Sequence, residues 1–225
     1  MIEQVSPQTF FAPPTFRVAL ADRERLLQFL RNHVADRVIV VDAPAGYGKT
    51  WLLGRRFGEL RAAGAAVVWL GIEGADAAQF LSMLVEGLAR SGIEVGPVEA
   101  IAAQGFADVP LPAAVRALAA ALEASGVSVT IFVDDIHRLD KSVVPEVLAR
   151  LVVEAPPSTR FVLSGREVAG LPRSALRQAA KQVRRERRLS FALFHGSRPS
   201  SMAQSNSPIV PWKPSGNQAP SSRGR

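Results

Sequence analysis

The chain has 225 residues, of which 48% are hydrophobic and none is cysteine. This composition supplies one sizeable core and excludes disulfides and thiolate metal sites. The net charge is +7, but residues 181–225 hold nine of the 27 Lys and Arg and one of the 20 acids, which leaves the first 180 residues at −1. The larger part of the chain therefore lacks the basic excess that favours a phosphate-backbone partner.

The N-terminus carries no recognisable targeting signal. Residues 1–10 contain no basic segment followed by an apolar stretch, which a secretory signal would require. The purest apolar runs, at 38–41 and 131–133, are far too short to span a bilayer. We therefore expect a cytoplasmic protein without a membrane partner.

Three regions are predicted along the chain: an extended, Pro-rich lead-in over 1–18, a folded domain over 19–185, and a disordered basic tail over 186–225. Within the domain, short strands that are apolar on both faces alternate with amphipathic helices. Strands are predicted over 38–41, 67–70, 127–133 and 160–164, helices over 22–34, 49–63, 76–90, 112–125 and 144–152, and a loop over 92–111. This alternation indicates an α/β fold, a parallel sheet with helices on both faces.

The first predicted strand runs directly into a glycine-rich segment, residues 42–50, that precedes a helix. Glycines let the main chain approach a triphosphate, and the amides at the helix N-terminus point at the anion. Lys49 would reach the β- and γ-phosphates, and the Thr50 hydroxyl would complete the shell of Mg²⁺. The residues predicted to hold the phosphates are Ala45, Gly46, Tyr47, Gly48, Lys49, Thr50 and Trp51.

This P-loop pattern is imperfect, because its first position is usually Gly and here it is Ala43. An accidental strand–turn–helix junction is the alternative interpretation. The buried strand before the segment, the helix after it and the acidic residues described next favour phosphate binding by ATP and Mg²⁺.

The predicted strand over 127–133 ends in two carboxylates, Asp134 and Asp135. If this strand lies beside the phosphate-loop strand, as we expect, Asp134 holds Mg²⁺ through water and Asp135 polarises the attacking water. The alternative is that both acids only cap the following turn.

Arg166 follows the strand over 160–164 and would emerge at the same sheet edge, where it could sense the γ-phosphate. The alternative is a solvated loop arginine. His137, two residues past the acids, is more typical of packing or of a structural hydrogen bond than of catalysis.

Four segments together resemble the ATPase domain of the large LuxR-type ATP-dependent transcription regulators, which belong to the signal-transducing (STAND) P-loop ATPases. These segments are residues 43–50, 68–70, 132–137 and 163–167, and residues 20–27 resemble the short motif that precedes the first helix in that class. The resemblance covers roughly residues 10–185. In this family a small residue other than Gly at the position of Ala43 is usual, whereas Trp51 replaces a second hydroxyl residue.

The resemblance implies a switch that is closed with ADP, self-associates with ATP and hydrolyses ATP slowly, with the lead-in helping to enclose the adenine. It also implies DNA binding only through further modules, which 225 residues leave no room for. We therefore expect a truncated or frameshifted regulator, in which the sequence beyond about residue 186 replaces the remainder. Two alternatives stay open: a non-enzymatic nucleotide-binding fragment, and a non-specific nucleic-acid binder acting through the basic cluster at 181–188.

Overall fold

The computed structural model describes residues 10–15, 24–34, 36–106, 108–140, 144–166 and 191–195. The strands are β1 Val38–Asp42, β2 Ala66–Gly71, β3 Val129–Asp134, β4 Thr159–Gly165 and β5 Phe191–His195. The helices are α1 Glu24–Asn32, α2 Lys49–Ala62, α3 Ala77–Arg90, α4 Pro97–Ala103, α5 Leu111–Ser125 and α6 Val144–Glu154, with a short 3₁₀ helix at Ile136–Arg138. None of the described helices is long and apolar enough to cross a bilayer.

The described strands form one parallel sheet in the order β2-β3-β4-β1-β5. The expectation that the acidic strand lies beside the phosphate-loop strand was wrong, because β4 separates β3 from β1. Val38 of β1 is paired with Phe161 of β4, and Val129 of β3 with Thr159 of β4. The strand that precedes Arg166 thus ends between the phosphate loop and the two carboxylates.

Helices cover both faces of the sheet, which confirms the predicted fold class. Alternate residues of β1 face opposite cores: Val38 and Val40 pack with α3, α5 and α6, whereas Ile39 and Val41 pack with α1 and α2. An uninterrupted β-branched run is what such a two-sided strand requires, since side chains alternate between faces. Burying each of these aliphatic side chains contributes about 1.5–3 kcal/mol.

Two elements lie where the sequence predicted none. Helix α4 occupies part of the predicted loop over 92–111, because Gly96 and Pro97, interpreted as loop punctuation, instead mark its start, and Val98 is buried. Strand β5 lies inside the predicted disordered tail and pairs with β1 along its whole length. Its short apolar run was hidden by the low-complexity residues around it. The other residues of the predicted tail, and residues 1–9 and 16–18 of the lead-in, lie outside the described part of the chain.

Among the described residues, the buried side-chain polar atoms without a hydrogen-bond partner lie near the amino ends of β1 and β4, opposite the phosphate loop. They are Asp36 Oδ2, Arg37 Nε, Glu154 Oε2 and Thr159 Oγ1. Thr159 is fully buried. Its unpaired hydroxyl costs free energy that an apolar group of the same shape would not.

We predict that Thr159→Val raises the free energy of unfolding by about 1 kcal/mol, because it replaces an unsatisfied hydroxyl with a methyl group. Chemical denaturation of the two proteins measures the difference, with Thr159→Ser as the matched control that keeps the hydroxyl. A Thr159→Val protein less stable than the parent would contradict the interpretation.

Candidate functional site

The phosphate loop, defined as residues 43–48, leads from β1 into α2 through two glycines with left-handed backbone. Gly46 has φ 77°, and Gly48 has φ 68° and ψ 30° directly before the first helical residue. An L side chain at either position would be strained. The N-cap residue of α2 is Gly48, which has no side chain to bond the first amides of this helix. The first amides of this helix therefore remain available to an anion.

Lys49 folds back into the loop. It is 8% exposed, and its Nζ donates to the carbonyl oxygens of Ala43 at 2.7 Å and Pro44 at 3.0 Å. Burial lowers the pKa of Lys49 below its usual value, and the charges of Asp135 and Asp134 oppose this shift. A buried ammonium group thus lies within electrostatic reach of both carboxylates.

Asp134 is held by two donors at the end of β3. The Ser164 hydroxyl and the Asp135 amide, the latter at 3.1 Å, both donate to Asp134 Oδ1. Asp134 and Ser164 are both buried. These bonds fix the orientation of the carboxylate. Sequence reasoning missed Ser164, although a lone hydroxyl at the end of the apolar run Phe161–Leu163 was a usable signal.

Asp135 turns the chain away from the sheet with a left-handed φ of 58°. This backbone is uncommon outside glycine, and strained residues of this kind cluster at functional sites. The Asp135 side chain makes no capping hydrogen bond to the 3₁₀ helix that follows. Its carboxylate instead lies 3.7 Å from His137 Nδ1 and 4.0 Å from Arg138 Nε.

Arg166 is exposed and follows β4 directly. Its amide donates to His137 Nδ1 at 3.4 Å. The charge of Arg166 also acts on the pKa values of Lys49 and His137, lowering both, so it belongs to the same cluster of charges. His137 makes the structural hydrogen bond that its position suggested.

The remaining predicted residues differ in what their side chains do. Ala45 and Gly46 are exposed, and Tyr47 and Thr50 are half-buried. The half-buried Trp51 packs against the core between the sheet and helices α1 and α2, with the Arg55 guanidinium 5.8 Å from its ring centre. The main-chain amide of Trp51 can therefore donate to an anion at the loop, while its side chain packs against the core.

The described residues contain no cluster of three carboxylate or imidazole groups that would bind a metal unaided. Proteins usually hold Mg²⁺ through one or two carboxylates together with substrate phosphates and water. Thr50 in the first turn of α2 and Asp134 at the end of β3 are the residues that the sequence predicted for this role.

We predict that Gly48→Ala lowers the free energy of unfolding by about 1 kcal/mol, because the left-handed backbone strains any Cβ. Gly58→Ala is the control, since a Cβ at this exposed position within α2 meets no neighbour within 4 Å. This control should stabilise the helix by up to about 1 kcal/mol. Equal effects of the two changes in thermal unfolding would contradict the strained conformation of the loop.

No family model matches the chain. The chain is 28% identical over 174 residues to a protein called serine/threonine-protein kinase PknK in Mycobacterium tuberculosis and in Mycobacterium bovis. The matched region is 76% of this chain but 16% of those proteins, so the chain spans about a sixth of the length of these relatives.

Among solved structures, the chain is similar to Cdc6p from Pyrobaculum aerophilum, with a TM-score of 0.54 at 17% identity. The similarity covers 76% of this chain and 46% of that one. At this identity the likeness concerns the fold alone. The chain therefore shares with that structure a parallel α/β fold, with helices on both faces of the sheet.

Proposed function

We propose that this chain is an ATP-binding switch domain that hydrolyses ATP slowly with Mg²⁺, and that it belongs to the class of large LuxR-type STAND regulators. The observation that carries the proposal is the buried ammonium group of Lys49 inside a glycine-formed loop at an uncapped helix N-terminus. Such an arrangement of amides and an ammonium group is suited to the phosphate groups of a nucleotide.

In the proposed complex, amides of residues 45–51 donate to the phosphate oxygens. Lys49 exchanges the carbonyl oxygens of Ala43 and Pro44 for oxygens of the β- and γ-phosphates. Its burial favours this exchange, because an ammonium group that has lost water gains more from an anion in a medium of low dielectric constant. The two glycines at 46 and 48 leave room for the phosphates to approach the main chain.

Thr50 and Asp134 are the proposed holders of Mg²⁺, which when bound neutralises charge on the β- and γ-phosphate oxygens. Ser164 and the Asp135 amide keep the Asp134 carboxylate in one orientation for this role. The fully buried Ser164 hydroxyl thereby ties the metal-holding carboxylate to the neighbouring strand.

Asp135 is proposed to accept a proton from the water that attacks the γ-phosphate in line. This residue lies one position past β3, and its carboxylate is 3.7 Å from His137 Nδ1. Arg166, at the end of the strand between the loop and the carboxylates, would pair with the γ-phosphate and so distinguish ATP from ADP.

The assignment to a regulator class rests on the combination of segments 43–50, 68–70, 132–137 and 163–167, and the match to part of PknK is compatible with it. The word kinase describes those whole proteins, of which the matched region is 16%. An inducer, DNA contacts and self-association in the ATP state would involve parts beyond the nucleotide site described here.

We predict that Lys49→Met weakens ATP binding at least about 100-fold, because a charged hydrogen-bond donor to the phosphates is lost. Isothermal titration calorimetry with Mg²⁺ and ATP measures the change. Arg61→Gln, an exposed change near the far end of the same helix, is the control and should bind as the parent does. Unchanged affinity in the Lys49→Met protein would contradict the proposed site.

We predict that Asp135→Asn binds ATP within about threefold of the parent, yet releases phosphate at least about 100-fold more slowly, because the amide cannot accept the proton of the attacking water. Phosphate release under single-turnover conditions provides the measurement. Undiminished release would exclude this residue as the base.

The second candidate function is a nucleotide-binding domain without hydrolysis. It is favoured by Trp51, whose side chain packs in the core where the family usually places a second hydroxyl residue. Tight ATP binding by the parent protein with no phosphate release would select this candidate over the ATPase.

A further inference from the structure

His137 joins two parts of the site that belong to different strands. Its Nδ1 accepts the amide hydrogen of Arg166, with an N···N distance of 3.4 Å, and lies 3.7 Å from Asp135 Oδ1. The first contact reaches the residue after β4, and the second reaches the residue after β3. The imidazole is largely covered, with 22% of the side chain exposed. The ring therefore lies where the two strand ends meet.

The protonation of the ring follows from this bond. An Nδ1 that accepts from an amide carries no hydrogen, so the neutral ring has its hydrogen on Nε2. Burial lowers the pKa of His137, against the opposing charge of Asp135, and this favours the neutral ring near neutral pH. The Asp135 carboxylate lies near the ring but makes no hydrogen bond to the unprotonated Nδ1, because both atoms are acceptors.

The hydrogen bond from the Arg166 amide to His137 matters because of where Arg166 lies in the fold. Arg166 stands immediately past Gly165, the last residue of β4, and its side chain is exposed. Its main chain at this point is no longer part of the β4 ladder, and the hydrogen bond to His137 holds its amide in place. The position of the Arg166 main chain determines which part of the site its guanidinium group can reach.

We propose that His137 is a positioning residue, which holds Arg166 through its Nδ1 acceptor and thereby sets the preference of the site for ATP over ADP. This inference rests on the proposed function, because it assumes that Arg166 meets a γ-phosphate. ADP lacks that phosphate, so loss of the hydrogen bond should weaken ATP binding and leave ADP binding unchanged.

Three substitutions separate the acceptor from the bulk of the ring. His137→Asn places an amide oxygen at nearly the position of Nδ1, so it can still accept from the Arg166 amide. His137→Gln carries its amide one bond further, near the position of Nε2, and removes the acceptor at Nδ1. His137→Ala removes both. The Asn and Gln variants have similar polarity, so they differ chiefly in where the acceptor lies.

The experiment measures dissociation constants for ATP and for ADP, both with Mg²⁺, in the parent and the three variants by isothermal titration calorimetry. We expect the ratio of ADP to ATP dissociation constants to fall about five- to tenfold in His137→Gln and His137→Ala, the size of one lost hydrogen bond. We expect His137→Asn to keep the ratio within about twofold, and ADP affinity to be unchanged throughout.

Two results overturn the inference while leaving the proposed nucleotide site intact. One is an unchanged ratio in His137→Gln, measured on a protein that binds both nucleotides. The other is an equal loss in His137→Asn and His137→Gln, which assigns the effect to the ring and not to its acceptor. If the parent protein binds neither nucleotide, the proposed function fails first and this inference falls with it. Thermal unfolding identifies a variant that is not folded. If His137→Ala does not fold, the comparison of His137→Asn with His137→Gln alone tests the inference.

Discussion

The buried ammonium group of Lys49 is the interaction on which the site depends. Its hydrogen bonds to the carbonyl oxygens of Ala43 and Pro44 hold the loop around a positive charge. Burial makes this charge costly and lowers the pKa of Lys49. The carboxylates after β3 offset part of that cost. The parallel sheet makes this possible, because the ends of β1, β4 and β3 meet at one edge and bring their polar residues together.

Much of this arrangement could be predicted from sequence because its determinants are local. The run Val38–Val41 indicates a strand with two apolar faces, and its residues pack into two separate cores. Gly46 and Gly48 stand where the backbone is left-handed. Asp76 and Gln79 form the reciprocal capping box at the start of α3, close to the predicted beginning of that helix. In each case the residue type is explained by burial or by backbone geometry that involves only residues a few positions apart in sequence.

The rest depends on contacts between distant residues. No local pattern specifies that β4 lies between β3 and β1, so the expected neighbour of the phosphate-loop strand was wrong. The role of Ser164 depends on that strand order, because the order brings the Ser164 hydroxyl to Asp134. The same holds for β5, whose five residues become a strand through pairing with β1. The bond between His137 and Arg166 joins residues 29 positions apart.

The central claim is that the main-chain amides of the loop, backed by Lys49, hold a triphosphate. A crystal structure of the intact chain with Mg²⁺ and a non-hydrolysable ATP analogue tests it most directly. The account predicts β- and γ-phosphate oxygens within hydrogen-bonding distance of amides in residues 45–51, with Lys49 Nζ moved from the carbonyl of Ala43 to the phosphates. A loop that remains empty, or an analogue bound elsewhere with Lys49 still on its carbonyls, would contradict it.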